Sequence, residues 1–329
     1  MADMDWHDTE TPALPGAAPM QQHPAYAATS LALGRQVRWL RLGPAHAPMG
    51  SALVLCRRWP GLGRAALVSR GPVWVDNLAP AVRQAALVSL IDRLRRDHVV
   101  VIATPDPIAG ADPLAGSGLL PLVTPITLAT LDLGGGAAVR RARLRGKWRN
   151  ALTRAEAAPL HTTATPLPPD PDHWLLRAEA AQARARRYRR LPGAFAVAWA
   201  RANPADTLLL AAHAATGPVA GMLFLRHGSM ASYHIGWTSA EGRKASAHTR
   251  LMWEGIARLA AAGVARLDLD MIDTETAPGL ARFKLGTGAE AVRLGATRIA
   301  APGTAYMARL MRAPAPVAGT GPRAVQVTL

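Results

Sequence analysis

The feature that most constrains this chain is an alternation of strand-like and helix-like hydrophobic patterns that occurs twice. In the first half, three strand patterns precede a helical pattern and a short apolar run, at 37–42, 52–57, 64–69, 80–97 and 99–103. In the second half the same order recurs, at 207–212, 219–226, 229–237, 246–261 and 265–271. The repeat concerns the order of elements and not residue identity. It predicts an α/β chain built from two similar units.

A long basic helical segment separates the two units. Its residues Leu144, Trp148 and Leu152 recur every four positions and therefore share one face. Both ends of the chain are rich in Pro and Ala and have no period, which predicts unstructured tails. The predicted divisions are a disordered tail, an N-terminal domain, the basic interdomain helix, a C-terminal domain and a flexible tail, at 1–20, 21–136, 137–158, 159–305 and 306–329.

The charge balance predicts anionic partners. The 329 residues include 38 Lys plus Arg against 22 Asp plus Glu, which gives a net charge of +16. A charge of this size attracts nucleic acid, phosphorylated cofactors or acidic membrane surfaces. An alternative is compositional, because the chain is rich in Ala, Arg, Gly and Pro throughout. Half of the residues are hydrophobic, so a sizeable core is expected.

Cysteine usage and hydropathy indicate a cytoplasmic protein. The single cysteine, Cys56, lies in an apolar run and is expected to be a buried small side chain and not a nucleophile. The N-terminus is acidic and lacks the features of a signal peptide. No stretch reaches the length of about 18 apolar residues that a membrane helix needs, so no integral membrane contact is expected.

Motifs for metals and nucleophiles are missing from the sequence. It contains no cysteine pair, His-x-x-x-His, Gly-x-Ser-x-Gly or Walker motif. Asp268 and Asp270, with Asp273 nearby, have the chemistry of a Mg²⁺ site, but a polar strand edge explains them more simply. We therefore predict no metal and no permanently bound cofactor.

Two basic segments are candidate anion sites. The interdomain helix carries six cations between Arg140 and Arg149, and we assign substrate binding to Lys147, Trp148 and Arg149. The alternative is a strap that joins the domains through its apolar face, and both roles can coexist.

The second segment precedes the helix that begins near Ser246. The side chains of Arg243 and Lys244, with Ser246 as N-cap, suit a donor phosphate at a helix N-terminus. The alternative is an ordinary capped turn.

Several segments resemble FemAB-like transferases, the peptidoglycan-bridge aminoacyltransferases and their relatives. The segment from Leu144 to Glu156, which contains Lys147-Trp-Arg-Asn150, resembles their interdomain helix. The segment from Pro278 to Gly288, whose residues 278–284 are interpreted as a basic loop, resembles their Phe-Lys signature. Gln22-His-Pro-x-Tyr26 and Ser69-Arg-Gly-Pro-Val-Trp74 resemble their N-terminal domain. The likeness runs from about Gln21 to Ala300.

The resemblance implies two tandem GNAT-like domains, each a mixed, mostly antiparallel sheet flanked by helices. Such proteins transfer an acyl group to an amine on a small molecule or cell-wall precursor. The donor is acyl-CoA or aminoacyl-tRNA, so tRNA is a possible partner. By the match, Lys284 stabilises an oxyanion or donor phosphate, Phe283 shapes the acyl pocket, and Arg282 joins the donor site. The chain departs from the family because Asp270 replaces an expected small residue and no clear pyrophosphate loop is present.

The lack of a nucleophile favours direct attack by the amine on a thioester or ester carbonyl. The amine must lose a proton, and Asp268 or Glu254 is the candidate base. Tyr233 is the candidate acid that protonates the leaving group. The alternative function is a non-enzymatic RNA-binding protein that uses the basic helix, the 184–190 cluster and Tyr188 for stacking.

Overall fold

The computed structural model describes residues 4–14, 16–61, 63–188, 191–215 and 217–310. The strands are β1 (Trp6–Thr9), β2 (Gln36–Leu42), β3 (Gly50–Trp59), β4 (Gly63–Ser69), β5 (Val73–Trp74), β6 (Val100–Thr104), β7 (Leu120–Val123), β8 (Thr127–Asp132), β9 (His161–Thr165), β10 (Thr207–Ala214), β11 (Gly217–His227), β12 (Met230–Thr238), β13 (Arg266–Ile272), β14 (Glu290–Arg293) and β15 (Thr297–Ala300). The helices are α1 (Pro24–Ala32), α2 (Pro80–Asp97), α3 (Ala137–Arg143), α4 (Gly146–Ala157), α5 (Trp174–Arg186), α6 (Gly193–Ala202), α7 (Ala240–Lys244), α8 (Ala247–Ala261), α9 (Pro278–Gly286) and α10 (Thr304–Leu310).

The first sheet has the order β1-β2-β3-β4-β6-β15-β7, with β5 paired to β3 outside this path. Neighbouring strands are antiparallel except β4 and β6, which are parallel. Parallel neighbours need a crossover connection, and α2 provides it. This helix covers the sheet because Leu87, Leu90, Ile91 and Leu94 recur at helical spacing and are buried.

The second sheet has the order β14-β8-β13-β12-β11-β10-β9 and follows the same plan. Its strands are antiparallel except β12 and β13, which are parallel and are joined by α8. Leu251, Met252, Ile256 and Leu259 form the buried face of this helix. The prediction of two similar units, each a mixed and mostly antiparallel sheet flanked by helices, is confirmed.

The two sheets exchange strands, which the predicted domain boundaries did not anticipate. β8 lies inside the predicted N-terminal domain, yet it pairs with β13 and β14 of the second sheet. β15 lies inside the predicted C-terminal domain, yet it pairs with β6 and β7 of the first sheet. A hydrophobic pattern identifies a strand but not its partner, so division of the chain at 136 assigned both strands to the wrong sheet.

The predicted interdomain helix at 137–158 is two helices, α3 and α4. The backbone is extended at Leu144 and Arg145, and the N–H of Arg145 donates to the carbonyl of Gly286 at 3.0 Å instead of continuing the helix. Trp148 and Leu152 are buried on α4, as their spacing predicted. The break lets α4 pack against α9.

The predicted tails are partly ordered. Residues 6–9 form β1, and Trp6 is 4% exposed because its indole N–H donates to the carbonyl of Ala86 and its ring packs near Trp74. Residues 304–310 form α10, which packs against β7 and β15. A single aromatic residue among Pro and Ala has no period, so the pattern missed β1. The rest of the predicted C-terminal tail, 311–329, lies outside the described residues.

A buried cluster joins the two domains. Tyr26 and Trp39 from the first domain pack in one cluster with Phe195, Trp199 and Leu223 from the second. The rings of Tyr26 and Phe195 lie 5.8 Å apart, and those of Phe195 and Trp199 lie 6.0 Å apart. Because this apolar surface is shared, the two domains are packed as one body around a common core.

A buried histidine beside this junction predicts an acid-sensitive fold. His227 is fully buried between the carbonyl of Ala18, 3.1 Å from Nδ1, and the hydroxyl of Ser232, 3.0 Å from Nε2. Burial lowers its pKa from 6.5 to about 4. The unfolded chain therefore binds the proton first, and this contribution to stability is complete above pH 6.5 and is lost as the pH falls towards 4.

We expect the free energy of unfolding to fall by about 3 kcal/mol from this group alone over that interval. Urea unfolding at several pH values measures it. His227→Gln keeps a polar side chain without the titration and should show a shallower acid dependence. Identical slopes for the two proteins would contradict this assignment.

Candidate functional site

The site begins where two parallel strands separate. β12 and β13 pair over Met230–Ser232 and Arg266–Asp268 and then stop pairing. Both strands contain bulges at this point. His234 of β12 has no paired residue in β11, and Leu269 and Asp270 of β13 have none in β8. Such bulges bend strands and increase their twist. The carboxyl ends of β12 and β13 therefore no longer pair, and we call the gap between them the cleft.

The β12 side of the cleft carries a tyrosine and a histidine. A Cβ placed on Gly236 would overlap the Tyr233 hydroxyl and lie 3.3 Å from Cε1 of His248, so the two side chains meet above this glycine. His248, at the start of α8, has Nε2 2.9 Å from the carbonyl of Trp237. Burial lowers the pKa of His248 to about 4 and raises the pKa of Tyr233. At neutral pH the imidazole is uncharged and the phenol keeps its proton.

The β13 side of the cleft carries Asp270 in an unusual backbone conformation. Its φ is +67°, a left-handed value that favours glycine and costs about 1 kcal/mol for other residues. Its N–H donates to Oδ1 of Asp268 at 2.8 Å. The residue is solvent-exposed, yet the surrounding protein raises the pKa of its carboxyl. Desolvation by the neighbouring protein is the main cause of this rise.

The predicted basic loop at 278–284 is the helix α9, with Pro278 in its first turn. Lys284 is 2% exposed, and its Nζ donates to the carbonyl of Met271 at 2.7 Å. Burial lowers the pKa of this amine, while the charges of Asp270 and Asp268 oppose the shift. The ring of Phe283 lies 6.2 Å from that of Trp148 and 6.0 Å from that of His248. α9 thus brings both residues of the Phe-Lys signature to the cleft.

An arginine from the first domain reaches this site. Arg70 follows β4, and its Nε is 2.7 Å from Oδ1 of Asp106, which follows the parallel strand β6. Its Nη1 also forms an ion pair with Oδ2 of Asp268. Asp268 is 8% exposed and uses both oxygens in these contacts, which argues against its predicted role as base. Glu254 is similarly engaged, 3.0 Å from both Thr162 Oγ1 and Arg250 Nε.

The predicted donor-phosphate segment has a different local structure from that expected. Ser246 has a left-handed backbone and no side-chain cap hydrogen bond. Ser239 performs the capping role, because its Oγ accepts from the N–H of Gly242 at 3.0 Å and begins α7. Gly242 packs so tightly on the carbonyl of Val219 that a Cβ would lie 2.3 Å from it. The close approach is therefore to the protein's own backbone.

Most arginines of the basic helices contact the chain itself. Arg141 pairs with Glu156 at 2.7 Å, and Arg143 pairs with Asp132 at 3.1 Å. Arg140 donates to backbone carbonyls before α3, and Arg149 donates to those at its end. These contacts favour the strapping interpretation. Among the predicted substrate and donor residues, Trp148 is buried and Ser246 is half-buried. The others are exposed, namely Lys147, Arg149, Arg243, Lys244 and Arg282.

The structure adds three residues to the site that the sequence analysis had not assigned. Arg70 had a signal, since it lies in the Ser69–Trp74 segment that carries the family resemblance. Asp270 also had one, because it stood where a small residue was expected. His248 had none, since it is one of ten scattered histidines.

Comparisons with known proteins define the class. Residues 138–291 match the model of the acetyltransferase (GNAT) domain. That range covers most of the second sheet and the cleft residues of the second domain, so the second domain is a GNAT-type acyltransferase domain. The prediction of an acyltransferase enzyme is thereby confirmed.

Solved structures extend the likeness to the whole fold. FemX is similar over 90% of this chain and 95% of its own, with a TM-score of 0.71 and 13% identity. The C-terminal domain (DUF2156) of a putative lysylphosphatidylglycerol synthetase from Agrobacterium fabrum is similar over 89% of this chain and 91% of its own, with a TM-score of 0.52 and 14% identity. A tandem GNAT protein from the clavulanic acid biosynthesis pathway is similar over 87% of this chain and 89% of its own, with a TM-score of 0.50 and 15% identity. These likenesses show a tandem GNAT-like fold. None of the curated proteins matches the chain significantly.

Two kinds of feature are missing from the described residues. Across residues 4–310, with the gaps given above, no helix has the length and apolar character to cross a membrane. Within the same part of the chain, no group of three or more His, Cys, Asp or Glu side chains is placed to hold a metal ion.

Proposed function

We propose that this protein transfers an acyl or aminoacyl group from an activated thioester or ester donor to an amine acceptor, in the cleft between β12 and β13. The observation that carries the proposal is the separation of these two strands within a GNAT-type domain. Acyl-CoA and aminoacyl-tRNA are the candidate donors. The acceptor is an amine on a small molecule, a cell-wall precursor or a lipid headgroup. The lipid headgroup is supported by the name of the similar putative lysylphosphatidylglycerol synthetase.

The chemistry is direct attack. The acceptor nitrogen forms a bond to the donor carbonyl carbon, and the bond from that carbon to sulfur or oxygen breaks. Tyr233 keeps its proton at neutral pH and is the candidate donor of a proton to the leaving group. Cys56 lies on β3 in the first sheet, away from the cleft, so it is not a candidate for a covalent intermediate.

A panel of donors tests the proposal. Thermal shifts with a series of acyl-CoAs, beside a binding measurement with a pool of charged tRNA, identify the donor class. Incubation of the stabilising donor with primary amines should then give an acylated product of the expected mass. If no donor in either class binds and no product forms, the proposal is wrong.

The RNA-binding alternative makes a different prediction. Binding that rests on phosphate contacts should weaken steeply with salt and should not depend on Lys284. Because several arginines of the basic helices are engaged within the chain, we expect tRNA affinity, if present, to depend on exposed residues such as Lys147 and Arg154.

A further inference from the structure

Direct attack requires a group that takes a proton from the acceptor, and the carboxylates first considered are occupied. Asp268 accepts from Arg70 and from the N–H of Asp270, and Glu254 accepts from Thr162 and Arg250. Asp268 is also almost closed to solvent. A base must reach the proton that it removes, so neither side chain suits this role.

Asp270 has the properties that Asp268 lacks. It is exposed at the end of β13, next to Met271, which is 45% exposed. It lies where β12 and β13 have stopped pairing, and its carboxyl interacts electrostatically with Tyr233 of β12 and with Lys284 of α9. An acceptor ammonium that enters this cleft meets the Asp270 carboxylate directly.

We propose that Asp270 is the general base of the transfer, which binds the acceptor ammonium in the cleft and takes its proton. This inference rests on the proposed function. The carboxylate removes one proton from the ammonium, and the freed lone pair forms the bond to the donor carbonyl carbon. The tetrahedral adduct then loses its second nitrogen proton to the Tyr233 oxygen, while the Tyr233 hydroxyl proton passes to the sulfur or oxygen and the bond from carbon to that atom breaks. Asp270 finally returns its proton to solvent.

The backbone conformation supports a functional reason for this side chain. With φ at +67°, glycine would be the relaxed choice, yet the chain has a carboxylate there. The conformation is held by Asp268, whose Oδ1 accepts the N–H of Asp270, and Asp268 is held in turn by Arg70. Arg70 is therefore a positioning residue that the first domain contributes to the site in the second.

The charged and titratable groups around Asp270 determine its response to pH. They are Lys284 from α9, Tyr233 from β12, Asp268 from the same strand and Arg70 from the first domain. Burial raises the pKa of Asp270 most, and Lys284 lowers it. The transfer rate should fall as the pH drops through this raised pKa, because the protonated carboxyl cannot act as a base.

The test compares three variants of the full chain by steady-state kinetics between pH 4 and 9. The donor and primary amine are the fastest pair for the wild type, chosen from acetyl-CoA or pooled charged tRNA with an amine panel. Asp270→Asn and Asp270→Gly remove the base, and glycine also relaxes the backbone. Asp273→Asn is the matched control, since the recorded contacts of this carboxylate in the described residues are all within its own turn, to Glu275 and Thr276.

We expect kcat/KM to fall about 100-fold or more in both Asp270 variants, and the acid limb of the pH profile to disappear. Asp270→Gly should melt at the wild-type temperature or higher, and Asp273→Asn should stay within threefold of the wild type. If the wild type is active and Asp270→Gly keeps its rate and acid limb, the inference is wrong while the proposed function stands. A wild type that acylates no amine overturns both.

Discussion

Exchanging Lys284 for methionine is expected to lower kcat about 100-fold with little loss of stability. Lys284 holds the carbonyl of Met271 and supplies the positive charge that faces Asp270. Methionine has a similar volume and removes a charge that burial disfavours, so the fold should tolerate it. Steady-state kinetics and thermal melting measure the two effects separately.

The pH profile distinguishes an electrostatic role of Lys284 from a purely structural one. Lys284 lowers the pKa of Asp270, so its removal should move the acid limb of the rate to higher pH. The control Arg258→Met deletes one exposed positive charge near the end of α8 and should leave both rate and profile unchanged. A folded Lys284→Met protein with wild-type turnover would refute any role for this residue in transfer.

Replacing Arg70 with alanine is expected to reduce the free energy of unfolding by about 3–5 kcal/mol. Arg70 is the partner of Asp268, and the two side chains are only 13% and 11% exposed. Its loss leaves a carboxylate desolvated without a counter-charge. It also releases the contact through which Asp268 holds the backbone of Asp270, so activity should fall together with stability.

Arg38 provides a matched control for Arg70. It also bridges two carboxylates, Asp8 and Asp97, but these side chains are 49% and 37% exposed. Arg38→Ala should therefore cost less than about 1 kcal/mol. The double variant Arg70→Ala, Asp268→Asn should recover part of the stability, because it removes the unpaired charge. If Arg70→Ala and Arg38→Ala lose equal free energy of unfolding in urea, the buried ion pair stabilises the fold no more than the exposed one.

The local elements were largely predictable from the sequence. The helix predicted at 80–97 has the same bounds in the structure, and the strand predicted at 265–271 is β13 at 266–272. Each depends on a period that the chain itself displays. The errors occurred where a distant contact overrides the local pattern, as at Arg145, whose N–H bonds Gly286 instead of its own helix.

The site was predictable in part. Lys284, Phe283 and Tyr233 were assigned from resemblance and strand position. The structure places Phe283 beside His248 and Lys284 on the carbonyl of Met271, and the roles of all three stay predictions. His248 was not assigned because nothing in its local pattern shows that it meets Tyr233 beside Gly236. Arg70 was not assigned because it reaches Asp268 from a strand end that is distant in sequence. Asp268 and Asp270 stood side by side in the pattern, and only their contacts distinguish an occupied carboxylate from an exposed one.

By itself, the sequence determined the two repeating α/β units, the basic character and the segment that carries Phe283 and Lys284. These follow from periodicity, composition and a local signature, which are properties of neighbouring residues. The tertiary structure alone decided the exchange of β8 and β15, the separation of β12 from β13 and the reach of Arg70 into the second domain. Those features depend on which strands pair and which charges are desolvated together, and only the folded chain specifies either.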